Sequence, residues 1–187
     1  MGEFDPKDGE AQVIVSLAEA AMHMYRAAIE SLPFPEDKKF HKRADVVLSG
    51  LRKLRAALTE AAAQSRSTST VTAALSDVRH RYDTLMARAA AAPGATLGQQ
   101  LYTARVRAKL SAQEAANGVG LRPELPDELE AGATPSEEEA AKIEQLLAAL
   151  HEVAGNEAVE QSAETHIDSW ADAPVNGAEQ ESETAVH

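Results

Sequence analysis

The chain has 187 residues, a formal net charge of −12 and no cysteine, and only 4% of its residues are aromatic. Few aromatic residues and many alanines favour packed helices over a β-sandwich core. The missing cysteines exclude disulfides and thiolate metal sites, and the negative charge argues against non-specific binding to nucleic acid or anionic membranes. We find no secretory signal and no stretch near the roughly 18 apolar residues of a membrane span. We therefore expect a cytoplasmic protein without membrane contact.

Charge is unevenly distributed along the chain. Residues 11–96 hold 12 basic and 8 acidic residues, whereas residues 151–187 hold 9 acidic residues and no lysine or arginine. A segment with high net charge and few apolar residues does not bury enough surface to offset its loss of conformational entropy. We therefore expect a disordered acidic tail over residues 155–187 and a disordered start over residues 1–10.

Three helices are predicted between residues 11 and 92, over residues 12–32, 36–64 and 68–91, because apolar residues recur there at helical spacing. The face of the first helix that is predicted to be buried consists of Val13, Leu17, Ala20, Met24, Ala28 and Leu32. The segment AAPGAT at 91–96 ends the third helix and marks a domain boundary. Short connections favour antiparallel neighbours, so the sequence predicts an up-down-up three-helix bundle.

The second helix has two features of functional interest. Its apolar stripe consists of Val47, Leu51, Leu54 and Leu58. This stripe is typical of a packing or oligomerisation surface and would join two copies in a homodimer. Its basic stretch consists of Lys38, Lys39, Lys42 and Arg43, which are candidates for contacts with DNA phosphates. Acidic residues share the helix and no aromatic stacking platform accompanies the lysines, so a mixed solvated face is the alternative.

The spacing of a capping box, a Ser or Thr followed three residues later by Gln or Glu, occurs three times in the second segment. The pairs are Thr96 and Gln99, Ser111 and Glu114, and Ser136 and Glu139. They predict helices that begin near residues 97, 112 and 137. A further helix is predicted near residues 122–131, so the second segment forms a helical domain over residues 97–154.

The order and spacing of these helices resemble the phage-repressor-like, or XRE-type, helix-turn-helix family. The residues that carry the resemblance are Leu97, Leu101, Arg105, Leu110, Ser111, Glu114, Ala116, Gly120, Leu121, Leu129, Glu130 and Gly132. The resemblance implies a compact domain of about five helices, a role in transcription regulation, and a third helix that lies in the DNA major groove. The DNA contacts that it implies are Arg105, Arg107, Gln113 and Arg122.

The third helix of this segment departs from the family's pattern. Its exposed positions would be Pro123, Glu124, Pro126, Asp127, Glu128 and Ala131, where the family presents hydrogen-bond donors to DNA. A proline inside a helix costs about 3 kcal/mol, so we expect a short helix that starts near Pro126. Its acidic residues would repel the phosphate backbone. A repressor-like fold with a changed binding surface is therefore predicted, and ordinary DNA readout and a chance match of a helical bundle remain the alternatives.

Catalytic and metal-binding patterns are absent from the sequence. No two of the six histidines have the spacing of metal ligands, and no phosphate-binding glycine loop or nucleophile elbow occurs. We therefore expect no enzyme activity, no cofactor and no bound metal.

Two sets of apolar residues are candidates for binding a protein partner. Leu121, Leu125 and Leu129 lie in the helix-turn-helix segment, and Ile167 and Trp170 lie in the acidic tail. A Trp one turn after an isoleucine is typical of a segment that becomes helical in a partner's groove. An unstructured tail with an incidental aromatic residue is the alternative. A separate hypothesis, based on charge, is that the acidic tail folds back on the bundle and masks its basic stretch.

Three functions follow from these predictions. The first is a non-enzymatic regulatory protein, related to XRE-type regulators, that acts through a modified binding surface. The second is a true DNA-binding transcriptional regulator, and the third is a homodimeric helical scaffold or adaptor. The chain is also open to interpretation as part of a longer regulator.

Overall fold

The computed structural model describes the backbone of residues 6–64 and 69–168, with side chains over 13–63 and 69–153. These residues form seven helices and no strand, so the predicted all-α class is confirmed. The helices are α1 (Pro6–Glu30), α2 (Phe40–Gln64), α3 (Ser69–Ala90), α4 (Leu97–Arg107), α5 (Ala112–Gly118), α6 (Leu125–Glu130) and α7 (Glu137–Asp168). No described helix is both long and apolar enough to cross a membrane.

The first unit consists of α1, α2 and α3, each of which packs against the other two. Its core contains the fully buried side chains of Phe40, Leu51, Leu58, Tyr82 and Leu85. Burial of an apolar side chain of this size contributes about 1.5–3 kcal/mol, so the core holds the three helices together.

The stripe that was predicted to join two copies lies inside this core. Val47, Leu51 and Leu58 are buried, and Leu54 is half-buried against the same cluster. The prediction of a dimer through this stripe is therefore wrong, because α1 and α3 of the same chain cover it.

The buried face of α1 also differs from the prediction. Val13, Leu17 and Met24 were expected in the core, but they are 60%, 65% and 75% exposed. The buried residues are instead Val15, Ala18 and Met22, with Ile14, Tyr25 and Ile29 packed beside them. Apolar residues occupy two faces of α1, so helical periodicity alone does not identify the face that contacts α2 and α3.

The second unit consists of α4 to α7, with α4 in contact with α5, α6 and α7. Its core contains Leu101, Ala116, Leu125 and Ile143. The described part of this unit has four helices, rather than the five that the family resemblance implied. Helix α3 packs against α4, so the two units share a contact.

The three predicted capping boxes are present. Thr96 Oγ1 accepts from the Gln99 N–H at 3.2 Å and Gln99 Oε1 accepts from the Thr96 N–H at 3.1 Å. Ser111 and Glu114 make the same reciprocal bonds at the start of α5. Ser136 and Glu139 repeat them before α7. Each box satisfies N–H groups that a helix start leaves without partners, which explains why these three starts were predictable.

Two helix ends extend into segments that were predicted to be disordered. Helix α1 begins at Pro6, within residues 1–10, and α7 continues to Asp168, past residue 155. The prediction weighed net charge, but alanine and glutamate recur in residues 155–168 and both have high helix propensity. The domain limit predicted at residue 154 therefore falls inside α7.

Candidate binding surfaces

Helix α6 is the element that was predicted to read DNA, and its exposed face is acidic. The helix has six residues. Pro126 lies in its first turn, where the missing N–H of a proline costs no hydrogen bond within the helix. Leu125, Pro126, Leu129 and Glu130 are buried, which leaves Asp127 and Glu128 on the solvent side. Helix α6 therefore presents carboxylates and lacks the hydrogen-bond donors by which side chains commonly read DNA bases.

Arg122, a predicted DNA contact, is bound by two carboxylates of its own chain. Its Nη1 and Nη2 donate to the two carboxylate oxygens of Glu128 at 3.1 and 2.8 Å, and its Nε donates to Glu139 at 3.4 Å. The hydrogen bond from Arg122 lowers the pKa of the Glu128 carboxyl. This is the fork-to-fork geometry by which arginine also binds phosphate, so these carboxylates occupy the groups that a phosphate would need.

Arg105, another predicted DNA contact, is buried in an ion pair with Glu130. Its Nε and Nη2 donate to Glu130 Oε1 at 2.8 and 2.6 Å, and only 12% and 4% of the two side chains are exposed. The guanidinium also lies 4.7 Å from the centre of the Tyr102 ring. Arg105 therefore does not reach a DNA phosphate, and its predicted role is corrected to a contact between α4 and α6.

Burial raises the pKa of Glu130 to about 7, and the charge of Arg105 opposes this shift. The sequence indicated Glu130 only as one of the residues that carry the family resemblance. Its burial has no signal in the local sequence, because the residue lies in the acidic run ELPDELE. The contact with Arg105 spans 25 positions and depends on how α4 crosses α6.

Arg52 of α2, in the first unit, forms hydrogen bonds with the C-terminal end of α6. Arg52 donates to the carbonyl oxygens of Glu130 and, at 3.5 Å, Ala131. These carbonyls end a helix and carry its negative partial charge, which an arginine stabilises. Nothing in the local sequence distinguishes Arg52 from the other basic residues of α2.

Two tyrosines complete the junction between the units. The rings of Tyr82 and Tyr102 meet edge to face at 5.2 Å, and Arg55 lies 5.0 Å from the centre of the Tyr82 ring. The Tyr102 hydroxyl donates to Asp83, and burial raises the pKa of both phenols. Both phenols therefore stay neutral at physiological pH and pack at the junction, and the Tyr102 hydroxyl is also a hydrogen-bond donor.

A cavity of about 690 Å³ opens beside this junction. Its polar lining includes Asp45, Arg52, Lys53, Gln99 and Glu130. The Gln99 side chain, which is buried, donates to Asp45 at 3.2 Å. The cavity therefore contains charges of both signs, and several of the lining groups are engaged in holding the two units together.

Leu121, Leu125 and Leu129, the predicted partner contacts of this unit, belong to its buried core. They pack against α4 and α7 residues, so the prediction that they form a binding surface is wrong. The other predicted partner contacts lie outside the described side chains: α7 includes Ile167 in its backbone, and Trp170 follows the described residues. Arg107 and Gln113, predicted to contact DNA, are exposed.

The basic stretch of the first unit is exposed as well. Lys38 and Lys39 lie in the turn before α2, and Lys42 and Arg43 lie in its first turns. The Asp37 carboxylate accepts the Lys39 N–H at 2.7 Å and so shapes this turn.

An open groove of about 520 Å³ lies between this stretch and the end of α1. Its apolar floor consists of Ala28, Leu32, Val46 and Val47, and its rim carries Lys39, Lys42 and Arg43. We call this feature the basic groove.

No metal site is found in the part of the chain that the structure describes. No three His, Asp or Glu side chains there lie close enough to hold an ion. His41 instead makes a long-range contact, with its Nε2 2.9 Å from the Pro93 carbonyl oxygen.

Comparison with known proteins gives the chain its family. Residues 25–96 match the family described as the MSMEG_6518_N N-terminal domain. The chain is also 58% identical over 127 residues to an uncharacterized protein of Mycolicibacterium smegmatis, a match that covers 68% of this chain and 98% of the relative. The chain belongs to the family of this protein. No solved structure matches it.

The matched domain of the MSMEG_6518_N family ends at Thr96, the residue that caps α4. It therefore contains α2, α3 and the last turns of α1, and its end coincides with the boundary between the two units. The basic groove lies within this domain. The pairs made by Arg105 and Arg122 lie outside it.

Proposed function

We propose that this protein is a non-enzymatic regulatory protein of the cytoplasm that binds a protein partner rather than DNA. In this proposal the second unit has a repressor-like helix-turn-helix scaffold, and α6 occupies the position of the DNA-reading helix. The acidic exposed face of α6 is the binding surface, and its partner carries basic residues, since complementary charge favours association and selects partners.

The observation that carries the proposal is that the two arginines next to α6 in the structure are both paired with carboxylates of the same chain. Arg105 is buried against Glu130, and Arg122 is held by Glu128 and Glu139. Duplex DNA carries one charge per roughly 1.7 Å, and binding needs several cations to neutralise phosphates. The solvent side of α6, with Asp127 and Glu128, supplies none.

Fluorescence anisotropy with labelled genomic fragments tests the proposal. We expect no binding at about 50 mM or at about 200 mM salt, the range over which true phosphate contacts lose affinity steeply. The anisotropy of the labelled DNA should therefore be the same with Arg122→Glu as with the wild type. It should also be the same with Arg79→Glu, an exposed control on α3. Binding that Arg122→Glu abolishes and Arg79→Glu leaves intact would establish the DNA-reader alternative.

A homodimeric scaffold is a second candidate, because α1 exposes an apolar face. Val13, Leu17 and Met24 lie on one side of the helix and are each more than half exposed. Light scattering on the full chain tests it. A dimer that Leu17→Glu dissociates supports a scaffold built on α1, and a monomer at high concentration removes this candidate.

A further inference from the structure

The basic groove combines an apolar floor with three cations, and this combination specifies the chemistry of its ligand. Val46 on the floor is 71% exposed. No ion pair joins the side chains of Lys39, Lys42 or Arg43 to a carboxylate in the described part of the chain. An acidic segment with an apolar side chain would cover the floor and neutralise the rim, as amphipathic segments do in grooves of this kind.

The chain itself contains a segment of this chemistry. Residues 169–187 hold four acidic residues and no lysine or arginine, and they begin with Ser169 and the chain's single tryptophan, Trp170. Tryptophan is one of the residue types enriched among the few that contribute most of the binding energy of an interface. The segment is therefore complementary to the groove in both charge and apolar character.

The course of α7 indicates which copy of the chain supplies the segment. Val153 of α7 lines a small cavity together with Arg107, at the C-terminal end of α4. The helix then continues to Asp168, about 22 Å farther at 1.5 Å per residue. The basic groove lies instead near the N-terminal end of α4, where Gln99 bonds to Asp45 beside the groove residue Val46. The backbone of α7 therefore leads away from the basic groove of its own chain.

We infer that the basic groove binds the C-terminal segment, residues 169–187, of a second copy of this chain. Trp170 of that copy covers Val46, and its carboxylates pair with Lys39, Lys42 and Arg43. The contact is head-to-tail. It depends on protein concentration because it joins two copies, and it weakens with salt because charges of opposite sign are paired. It does not depend on the proposed function, because the groove lies on α1 and α2 and the acidic face lies on α6.

Tryptophan fluorescence of the full chain measures this contact directly, since Trp170 is the one tryptophan in the sequence. We expect the emission to shift to shorter wavelength as the protein concentration rises from about 1 μM to about 1 mM, a range that spans weak protein contacts. Raising the salt from about 0.05 M to about 0.5 M should reverse the shift.

Two pairs of matched variants locate the binding surface. K42E/R43E should lower the apparent association constant about tenfold or more, whereas R79E/R107E, which changes the net charge equally at exposed sites elsewhere, should leave it unchanged. Val46→Asp should weaken the contact and Val153→Asp, at an exposed site on α7, should not. Circular dichroism verifies that each variant keeps its helical content.

Three results would overturn the inference. The first is an emission typical of solvent-exposed tryptophan at every concentration. The second is a shift that is independent of concentration, which means that the segment binds within its own chain. The third is a concentration-dependent shift that K42E/R43E leaves intact, and loss of that shift in Leu17→Glu would assign the self-association to α1 instead.

Discussion

Helix α6 takes part in two arginine–glutamate pairs, one on its buried side and one on its exposed side. The pair of Arg105 and Glu130 is nearly sealed from solvent, whereas the side chains of Arg122 and Glu128 are 51% and 46% exposed. Arginine and glutamate therefore have different structural roles in the two pairs. The buried pair fixes how α6 sits on α4, and the exposed pair neutralises an arginine without adding to the core, because water screens it.

Loss of the buried carboxylate should have the largest effect. Glu130→Ala leaves the guanidinium of Arg105 buried without its partner, and arginine does not deprotonate to relieve the cost. We expect the free energy of unfolding to fall by about 3 kcal/mol in urea titrations at neutral pH. Glu128→Ala, on the exposed side, should leave the transition midpoint unchanged. Equal losses in the two variants would contradict the distinction between the two pairs.

The close approach of α4 to the end of α6 is the next test of the buried side. A Cβ at Gly98 would lie 2.2 Å from the carbonyl oxygen of Leu129, which belongs to the backbone and cannot rotate away. Gly98→Ala should therefore cost about 2 kcal/mol. Gly118, at the end of α5, has no atom within 4 Å of such a Cβ, and Gly118→Ala should raise stability by up to about 1 kcal/mol. A neutral Gly98→Ala would show that α6 does not pack this closely.

The pH dependence of stability should separate the two sides of α6 as well. Burial raises the pKa of Glu130 from 4.5 to about 7, so the folded state holds this proton more tightly than the unfolded state does. The stabilisation that comes from this bound proton is complete below pH 4.5 and is lost as the pH rises through 7, by an amount on the order of 3 kcal/mol. The lowered pKa of Glu128 has the opposite effect on stability: its contribution is present above pH 4.5 and is lost as the pH falls below that value.

Urea titrations of the wild type and Glu130→Gln across pH 4.5–7 measure this contribution. The amide does not titrate, so the wild type should lose stability relative to Glu130→Gln as the pH rises. Parallel curves for the two proteins would mean that Glu130 does not titrate in this window.

The smallest effect is expected on the exposed side. Arg122→Ala removes bonds to Glu128 and Glu139 that are formed in solvent. Thermal unfolding of this variant should match the wild type, since exposed pairs of this kind contribute little. A marked loss of stability would indicate that Arg122 organises the segment before α6.

The helix starts of this protein depend on neighbouring residues, which is why the sequence predicted them well. Thr96, Ser111 and Ser136 each bond to a residue three positions later. The short α6 follows from Pro126 for the same reason, because a proline restricts its own turn. The acidic face of α6 was predictable once its length was known.

The chemistry of the surfaces was less predictable, since it depends on residues far apart in the chain. Arg105 and Glu130 are 25 positions apart, and Arg52 reaches a carbonyl 78 positions away. Before the units pack, an arginine that will be buried is indistinguishable from one that will bind a phosphate. The apolar leucines of the second unit likewise gave no sign of whether they face a partner or the core.

Local order in the described part of the chain was therefore a property of the amino-acid sequence. It includes the seven helical segments found there, their capping motifs, the boundary near Thr96 and the acidic character of α6. Helix packing then selected which face of α1 is buried and which arginine is paired out of reach of a ligand. The physical reason is that hydrogen bonds in helices and caps join near neighbours, whereas burial depends on contacts between distant segments.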